Sequence, residues 1–295
     1  MSDQPDRRTF LKQSVVASGA TLALSLSAQQ TQAKPEESTN AKSPSRGMEV
    51  LIAGESWEVH STHIKGFDSF TTSFYEEGVG WLKKAIEQAG HKVHFMPNHL
   101  VPMEFPGTVD DLKRYSVVIL SDCGTNSLLL HPDTCNKSIP TPNRVKAVHD
   151  YVNAGGALLM IGGWCTFQGF RAMAGYHGTA IENALPVVMQ ATDDRVEIPE
   201  GARPVVLKAD HPILKDITEQ WPAFLGYNRL TARPKGNILL RINDDPFLVV
   251  WDYGQGRAAA FASDCAPHWG PPGFLNWTYY NRFWAQLTEW LAKTR

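Results

Sequence analysis

The chain has 295 residues, 43% of them hydrophobic and 20% charged, with a formal net charge of −2. That balance suits one sizeable globular core. It excludes the polybasic surface that binds nucleic acid or anionic lipid.

The N-terminus reads as an address rather than as fold. Asp6-Arg7-Arg8-Thr9-Phe10-Leu11-Lys12 resembles a twin-arginine export motif, and a weakly apolar run follows over 15–28. That run is too short and too rich in Ser, Gly and Thr to span a membrane. Thr31-Gln32-Ala33 suits cleavage, and the polar, Pro- and Ser-bearing segment after it suits a linker. The expected organisation is a signal peptide over 1–33, a flexible linker over 34–47 and one domain over 48–295. The mature protein is then periplasmic or secreted, with the twin-arginine translocation machinery as an export partner and no stable membrane span. In that oxidising compartment Cys123, Cys135, Cys165 and Cys265 could pair, and their spacing leaves the pairing open.

Within the domain, 48–53 (MEVLIA) reads as a buried strand ending at Gly54-Glu55-Ser56-Trp57. A polar, aromatic loop with His60, His63, Lys65 and Asp68 follows. The apolar spacing of Tyr75, Val79, Leu82, Ile86 and Ala89 predicts a helix over 74–89, stopped by Gly90. Strands are expected over Lys92–Met96 and over 115–120, the second running into Ser121-Asp122-Cys123-Gly124-Thr125-Asn126. A helix over 143–154 precedes the most informative stretch, 155–169, GGALLMIGGWCTFQG. There Ala157–Ile161 is an uninterrupted apolar run, short enough for a strand buried on both faces. Gly162 and Gly163 allow a sharp turn, and Trp164, Cys165 and Thr166 lead toward a possible helix. A strand, a glycine turn and a thiol form the geometry that raises a nucleophile above a sheet edge.

Beyond residue 180 short peripheral strands are expected over 187–196 and 204–207, and another over Asn237–Ile242. Runs over 247–253 and 257–263 flank Gly254-Gln255-Gly256, a hairpin signal. The second run ends at Asp264-Cys265-Ala266-Pro267-His268-Trp269. An amphipathic helix over 279–293 closes the chain with Phe283, Leu287, Trp290 and Leu291 inward. Strands alternating with helices argue for a doubly wound, mostly parallel sheet with its sites beyond the strand C-termini.

Taken in order, these segments resemble the class I glutamine amidotransferase-like superfamily, nearest its glutamine amidotransferase-like branch. The carriers are Gly54-Glu55-Ser56-Trp57, Lys65-Gly66-Phe67-Asp68, Ser121-Asp122 with Asn126, and Gly162-Gly163-Trp164 with Phe167-Gln168-Gly169. Asp193-Asp194-Arg195-Val196-Glu197, Leu225-Gly226-Tyr227-Asn228, and Ser263-Asp264 with Ala266-Pro267-His268-Trp269 complete the set. The resemblance implies a flavodoxin-like three-layer α/β/α sandwich with a late antiparallel hairpin. It also implies acyl transfer, in which Cys165 attacks an amide carbonyl and His268 takes and returns the proton. The sequence departs from the glutaminase pattern at three places, one of them Gln168, which falls one position early. Phe167 stands where a glycine is expected, and Gly270 stands where the glutamate of the triad belongs. Asp264 or Asp122 is then the candidate orienter of His268.

The candidate catalytic set is therefore Cys165, His268 and Asp264. The candidate pocket is Glu55, Ser56, His60, Asp122, Asn126, Gly163, Trp164 and Trp269. His60 and His63 lack a third ligand at diagnostic spacing, so neither metal nor cofactor is expected. Asp193-Asp194-Arg195 reads as a solvated turn. Tryptophans flanking the site segments suit a second reading, a binding module for a carbohydrate or an envelope partner.

Overall fold

The computed structural model describes residues 47–294; the expected signal peptide and all but the last residue of the expected linker lie outside them. Fourteen strands occur among the described residues. They are β1 (Glu49–Gly54), β2 (Ser56–Lys65), β3 (Asp68–Glu77), β4 (Lys92–Met96), β5 (Val117–Ser121), β6 (Ala157–Ile161) and β7 (Val187–Met189). β8 (Arg195–Ala202), β9 (Val205–Val206), β10 (Phe224–Asn228), β11 (Leu230–Ala232), β12 (Asn237–Ile242), β13 (Asp245–Tyr253) and β14 (Gly256–Phe261) complete them.

Eight strands form one sheet in the order β4-β1-β5-β6-β14-β13-β12-β9. The pairs from β4 to β14 are parallel, and those from β14 to β9 are antiparallel. The central strands β5 and β6 are buried at every residue. Their apolar runs bury both faces, as parallel strands covered by helices must. The helices Gly80–Gln88, Arg144–Asn153 and Tyr280–Leu291 pack over the sheet; Phe283, Leu287, Trp290 and Leu291 of the last are all buried. Asn143 caps the second of these, its side chain accepting from the Lys146 N–H at 2.9 Å.

Three segments differ from the sequence expectation. The supposed loop after Trp57 and the first turns of the supposed helix over 74–89 are the paired strands β2 and β3, and the helix begins only at Gly80. The β-branched and aromatic residues there pair across ten rungs, and cross-strand pairing overrides the weak helical spacing. Among the described residues no α-helix starts directly after Cys165: the next helical element is a single 3₁₀ turn at Phe170–Ala172. Asp194 is not solvated but buried. It accepts from the N–H groups of Gln168 and Gly169 at 3.0 and 2.8 Å and from Asn228 Nδ2 at 2.8 Å.

Candidate functional site

Four adjacent parallel strands, β1, β5, β6 and β14, end at one edge of the sheet. Each delivers a chemically active residue just past its last rung. Glu55 follows β1 and Asp122 follows β5, both in the left-handed region at φ 49° and 46°. Gly163, Trp164 and Cys165 follow β6, and Asp264 and His268 follow β14, with His268 at φ 125°. Non-glycine residues rarely hold such angles, and each costs roughly 1–3 kcal/mol unless its surroundings enforce it. Three of them line a single pocket.

That pocket has a volume of about 170 Å³ and is walled by Glu55, Trp57, Asp122, Trp164, Asp264, Pro267 and His268. Its floor is acidic. Glu55 is buried, accepts from Ser121 Oγ at 2.5 Å and lies 3.8 Å from the Cys265 sulfur. Space for its carboxylate depends on Gly78, where a Cβ would collide with Glu55 Oε1. Burial, then the charges of Asp264 and Asp122, hold Glu55 well above the usual carboxylate range. Burial and Asp122 do the same to Asp264, and burial raises Asp122. Like charges crowded into a dry site oppose one another's ionisation, so each of these carboxyl groups holds its proton to higher pH than a free one does.

Asp122 also builds the β6 turn. Its Oδ1 accepts from the Cys165 N–H at 2.7 Å, and its own N–H donates to Thr166 Oγ1 at 2.8 Å. A Cβ on Gly163 would collide with that carboxylate, so the glycine is needed for close approach. Asn228 secures the other side, accepting from the Gly163 N–H at 3.0 Å. Asn98, which the sequence did not single out, ties two strand ends together. Its Nδ2 donates to the carbonyls of Ser56 and Asp122 at 2.7 and 2.8 Å.

The aromatic wall has its own fastening. Glu197 accepts from the indole N–H of Trp164 at 3.1 Å and of Trp269 at 2.9 Å. His268 stacks on Trp269 at 5.0 Å and meets Trp164 edge-on at 4.8 Å. Arg195 lies over the Trp164 ring at 4.9 Å. His268 Nδ1 lies 3.8 Å from Asp264 Oδ2. Burial lowers the histidine and raises the aspartate, so the site opposes a charged pair between them.

The expected residues thus divide. Glu55, Asp122, Trp164, Asp264 and His268 line the pocket, with Gly163 and Trp269 directly behind it. Ser56 is buried and serves the backbone, its Oγ accepting from the Asn98 N–H at 2.8 Å. His60 lies out on β2, bonded to Ser73 Oγ at 2.6 Å, and Asn126 is exposed on the helix Thr125–Leu129. Neither lines the pocket. Cys165 is exposed beside it, and no hydrogen bond among the described residues reaches its sulfur. Desolvation and the Asp122 charge push its thiol up to about 11. All four cysteines are free. Glu55, Asp264 and Cys265 offer ligand atoms within 4.8 Å of one another, the set among the described residues that could hold a metal ion.

A family model described as "Putative glutamine amidotransferase" matches residues 49–293. Two solved structures of cytoplasmic proteins of Salmonella typhimurium are similar to this chain. STM3548 is 42% identical with a TM-score of 0.80, over 82% of this chain and 98% of its own. STM1381, from strain LT2, is 43% identical with a TM-score of 0.80, over 83% and 99%. No curated protein matches.

Proposed function

The chain belongs to the putative glutamine amidotransferase family, and from that premise we propose a glutamine amidotransferase-like protein whose edge pocket binds a small polyhydroxylated ligand, a sugar or the end of a glycan. The parallel order β4-β1-β5-β6-β14 supports a flavodoxin-like three-layer sandwich, in which ligands sit beyond the strand C-termini. One observation carries the binding reading: three carboxyl groups and two tryptophans converge on one cavity of about 170 Å³. Protonated Glu55 and Asp264 offer both donors and acceptors, which is what a hydroxyl group needs from a partner. Trp57 and Trp164 offer flat apolar walls for the C–H face of a sugar ring. The acidic floor disfavours an anionic ligand.

Titration with a panel of monosaccharides, read by tryptophan fluorescence, tests this. Saturable quenching is expected with at least one sugar. It should weaken roughly tenfold or more in Asp264→Asn, which leaves a buried polar group mispaired, and survive in Cys165→Ala. No response from any sugar overturns the reading.

Amide or acyl transfer through Cys165, with His268 as base, is the rival. Its support is that the Asp122 charge acts on both residues, which places them beside one carboxylate. It has weaker footing because the thiol is raised rather than lowered.

Export by the twin-arginine route is a further part of the proposal. It rests on Arg7-Arg8 and the apolar run after them. The Salmonella proteins are matched over 98–99% of their length yet cover 82–83% of this chain, so they offer no counterpart to much of the remainder. Cell fractionation should find the protein outside the cytoplasm and Arg7→Lys/Arg8→Lys inside it; equal distribution of both would end the export reading.

A further inference from the structure

His268 stands in the pocket wall without a hydrogen bond of its own. None among the described residues reaches its ring, and the Asp264 carboxyl lies 3.8 Å away. Two indoles hold it instead, Trp269 by stacking at 5.0 Å and Trp164 edge-on at 4.8 Å. The two differ in footing. Trp269 is buried at 1% exposure, whereas Trp164 is 39% exposed. A buried ring is fixed by the packing around it. An exposed one keeps moving between rotamers unless something ties it down.

One side chain supplies the tie. Glu197 accepts from the Trp269 indole N–H through Oε2 at 2.9 Å and from the Trp164 indole N–H through Oε1 at 3.1 Å. Each oxygen serves one ring, and hydrogen bonds to a carboxylate are the stronger kind. The exposed ring is thereby held in register with the buried one, and His268 lies against both. Glu197 itself does not line the cavity.

The chain around Glu197 is shaped for this task. β8 pairs with β10 in a two-stranded ribbon of its own, and Glu197 stands opposite Gly226. A Cβ at Gly226 would lie 2.2 Å from the Trp269 indole nitrogen, so the glycine leaves the room through which that ring reaches the carboxylate. Arg195, two residues before Glu197 and therefore on the same face of β8, lies over Trp164 with its Nη1 3.5 Å from Glu197 Oε1. Two hydrogen bonds to Asp193, at 2.9 and 2.8 Å, hold that guanidinium in place. Opposite Arg195 on β10 is Asn228, whose Oδ1 takes the Gly163 N–H one residue before Trp164. We propose that Glu197 is a positioning residue for the pocket: it ties Trp164 to the buried Trp269 and so fixes the wall in which His268 stands. A wall ordered in advance does not have to be ordered by the ligand, and affinity gains accordingly.

NMR of the isotope-labelled full chain tests this without a ligand. The indole N–H signals are assigned by their loss in Trp164→Phe and Trp269→Phe. In Glu197→Ala the Trp164 N–H should exchange with water at least about tenfold faster than in wild type, as loss of a hydrogen bond to a charged group implies. Glu197→Gln keeps one acceptor oxygen where the two rings use two, so one of the two signals should speed up and the other hold. The Trp251 N–H, bonded to the Ala184 carbonyl at 2.9 Å, is the control and should not change. If Glu197→Ala fails to fold, Glu197→Gln decides alone. A second measurement is affinity for the monosaccharide that quenches tryptophan fluorescence most strongly. It should fall roughly threefold to tenfold in Glu197→Ala, the ordering cost of one large side chain. Adding Glu197→Ala to Trp164→Phe should weaken it little further, because the tie is already cut. This second measurement rests on reading the pocket as a sugar site; the first does not. If no sugar quenches the wild type, the sugar reading fails while indole exchange still decides the role of Glu197. Equal exchange of the Trp164 N–H in wild type and both variants overturns the proposal. So does exchange that speeds up at Trp251 as well, which would make Glu197 a general stabiliser, and so does a sugar affinity unchanged by Glu197→Ala.

Discussion

Two kinds of strand end meet at the pocket, and they have opposite chemistry. The ends of β1 and β14 sink their acids: Glu55 and Asp264 are buried, crowded by like charge, and resist ionisation. The end of β6 lifts Cys165 outward on a glycine turn, as a nucleophile would be lifted, but gives it nothing that makes a thiolate. Among the described residues no α-helix N-terminus comes directly after it, and no cation bonds to it. Its nearest charged influence is Asp122, which opposes ionisation. A strand-turn motif sets where a side chain stands; neighbours from other strands set what it can do.

The sharpest way to break this contrast is to measure the thiol. With its pKa raised to about 11, Cys165 has roughly 300-fold less thiolate at neutral pH than a free cysteine near 8.5. Iodoacetamide labelling followed by mass spectrometry should therefore be between two and three orders of magnitude slower at Cys165 than at a small free thiol. Its rate should still be climbing with pH above 9. Fast labelling that levels off near neutrality would put a thiolate at the turn and return acyl transfer to first place.

Much of the fold was legible because burial on both faces writes itself as an apolar run. The expected strands over Lys92–Met96, Ala157–Ile161 and Asn237–Ile242 match β4, β6 and β12, and the hairpin at Gly254 joins β13 to β14. The β2–β3 hairpin was not legible, since β3 is exposed throughout, β2 is half-buried only at alternate residues near its root, and Tyr75, Val79 and Leu82 happen to fall at helical spacing. At the site, Glu55, Asp122, Asp264 and His268 announced themselves by following strands. Asn98 and Glu197 could not. Asn98 bonds to backbone carbonyls across two strand ends, and Glu197 grips indoles 33 and 72 residues away in sequence. What would have pointed to Glu197 is a single acid on a strand close to several tryptophans, too common a pattern to be specific. Asp194 misled for the same reason: its partners are the N–H groups of a distant turn, and only the fold brings them together.

A smaller effect probes the acidic floor directly. Glu55 and Asp264 have folded-state pKa values above their unfolded ones. Above about pH 4, where unfolded carboxylates ionise, the unfolded chain therefore releases protons that the fold retains. The native state binds more protons, so this part of the stability is whole in acid and is lost as pH rises toward the raised values. Surface acids such as Asp133, lowered mainly by its bond to Lys137, act in the opposite sense, and the total curve mixes both. The difference between wild type and Glu55→Gln removes that mixing. Glutamine cannot ionise, but its carbonyl still accepts from Ser121 Oγ. In urea unfolding between pH 5 and 7, the wild-type stability should fall more steeply than that of the variant, by at most about 1.4 kcal/mol per pH unit for the one proton concerned. Parallel curves would mean that Glu55 is ionised in the fold. The floor would then be a charged site suited to a cation, through the cluster with Asp264 and Cys265, rather than a protonated one suited to hydroxyl groups.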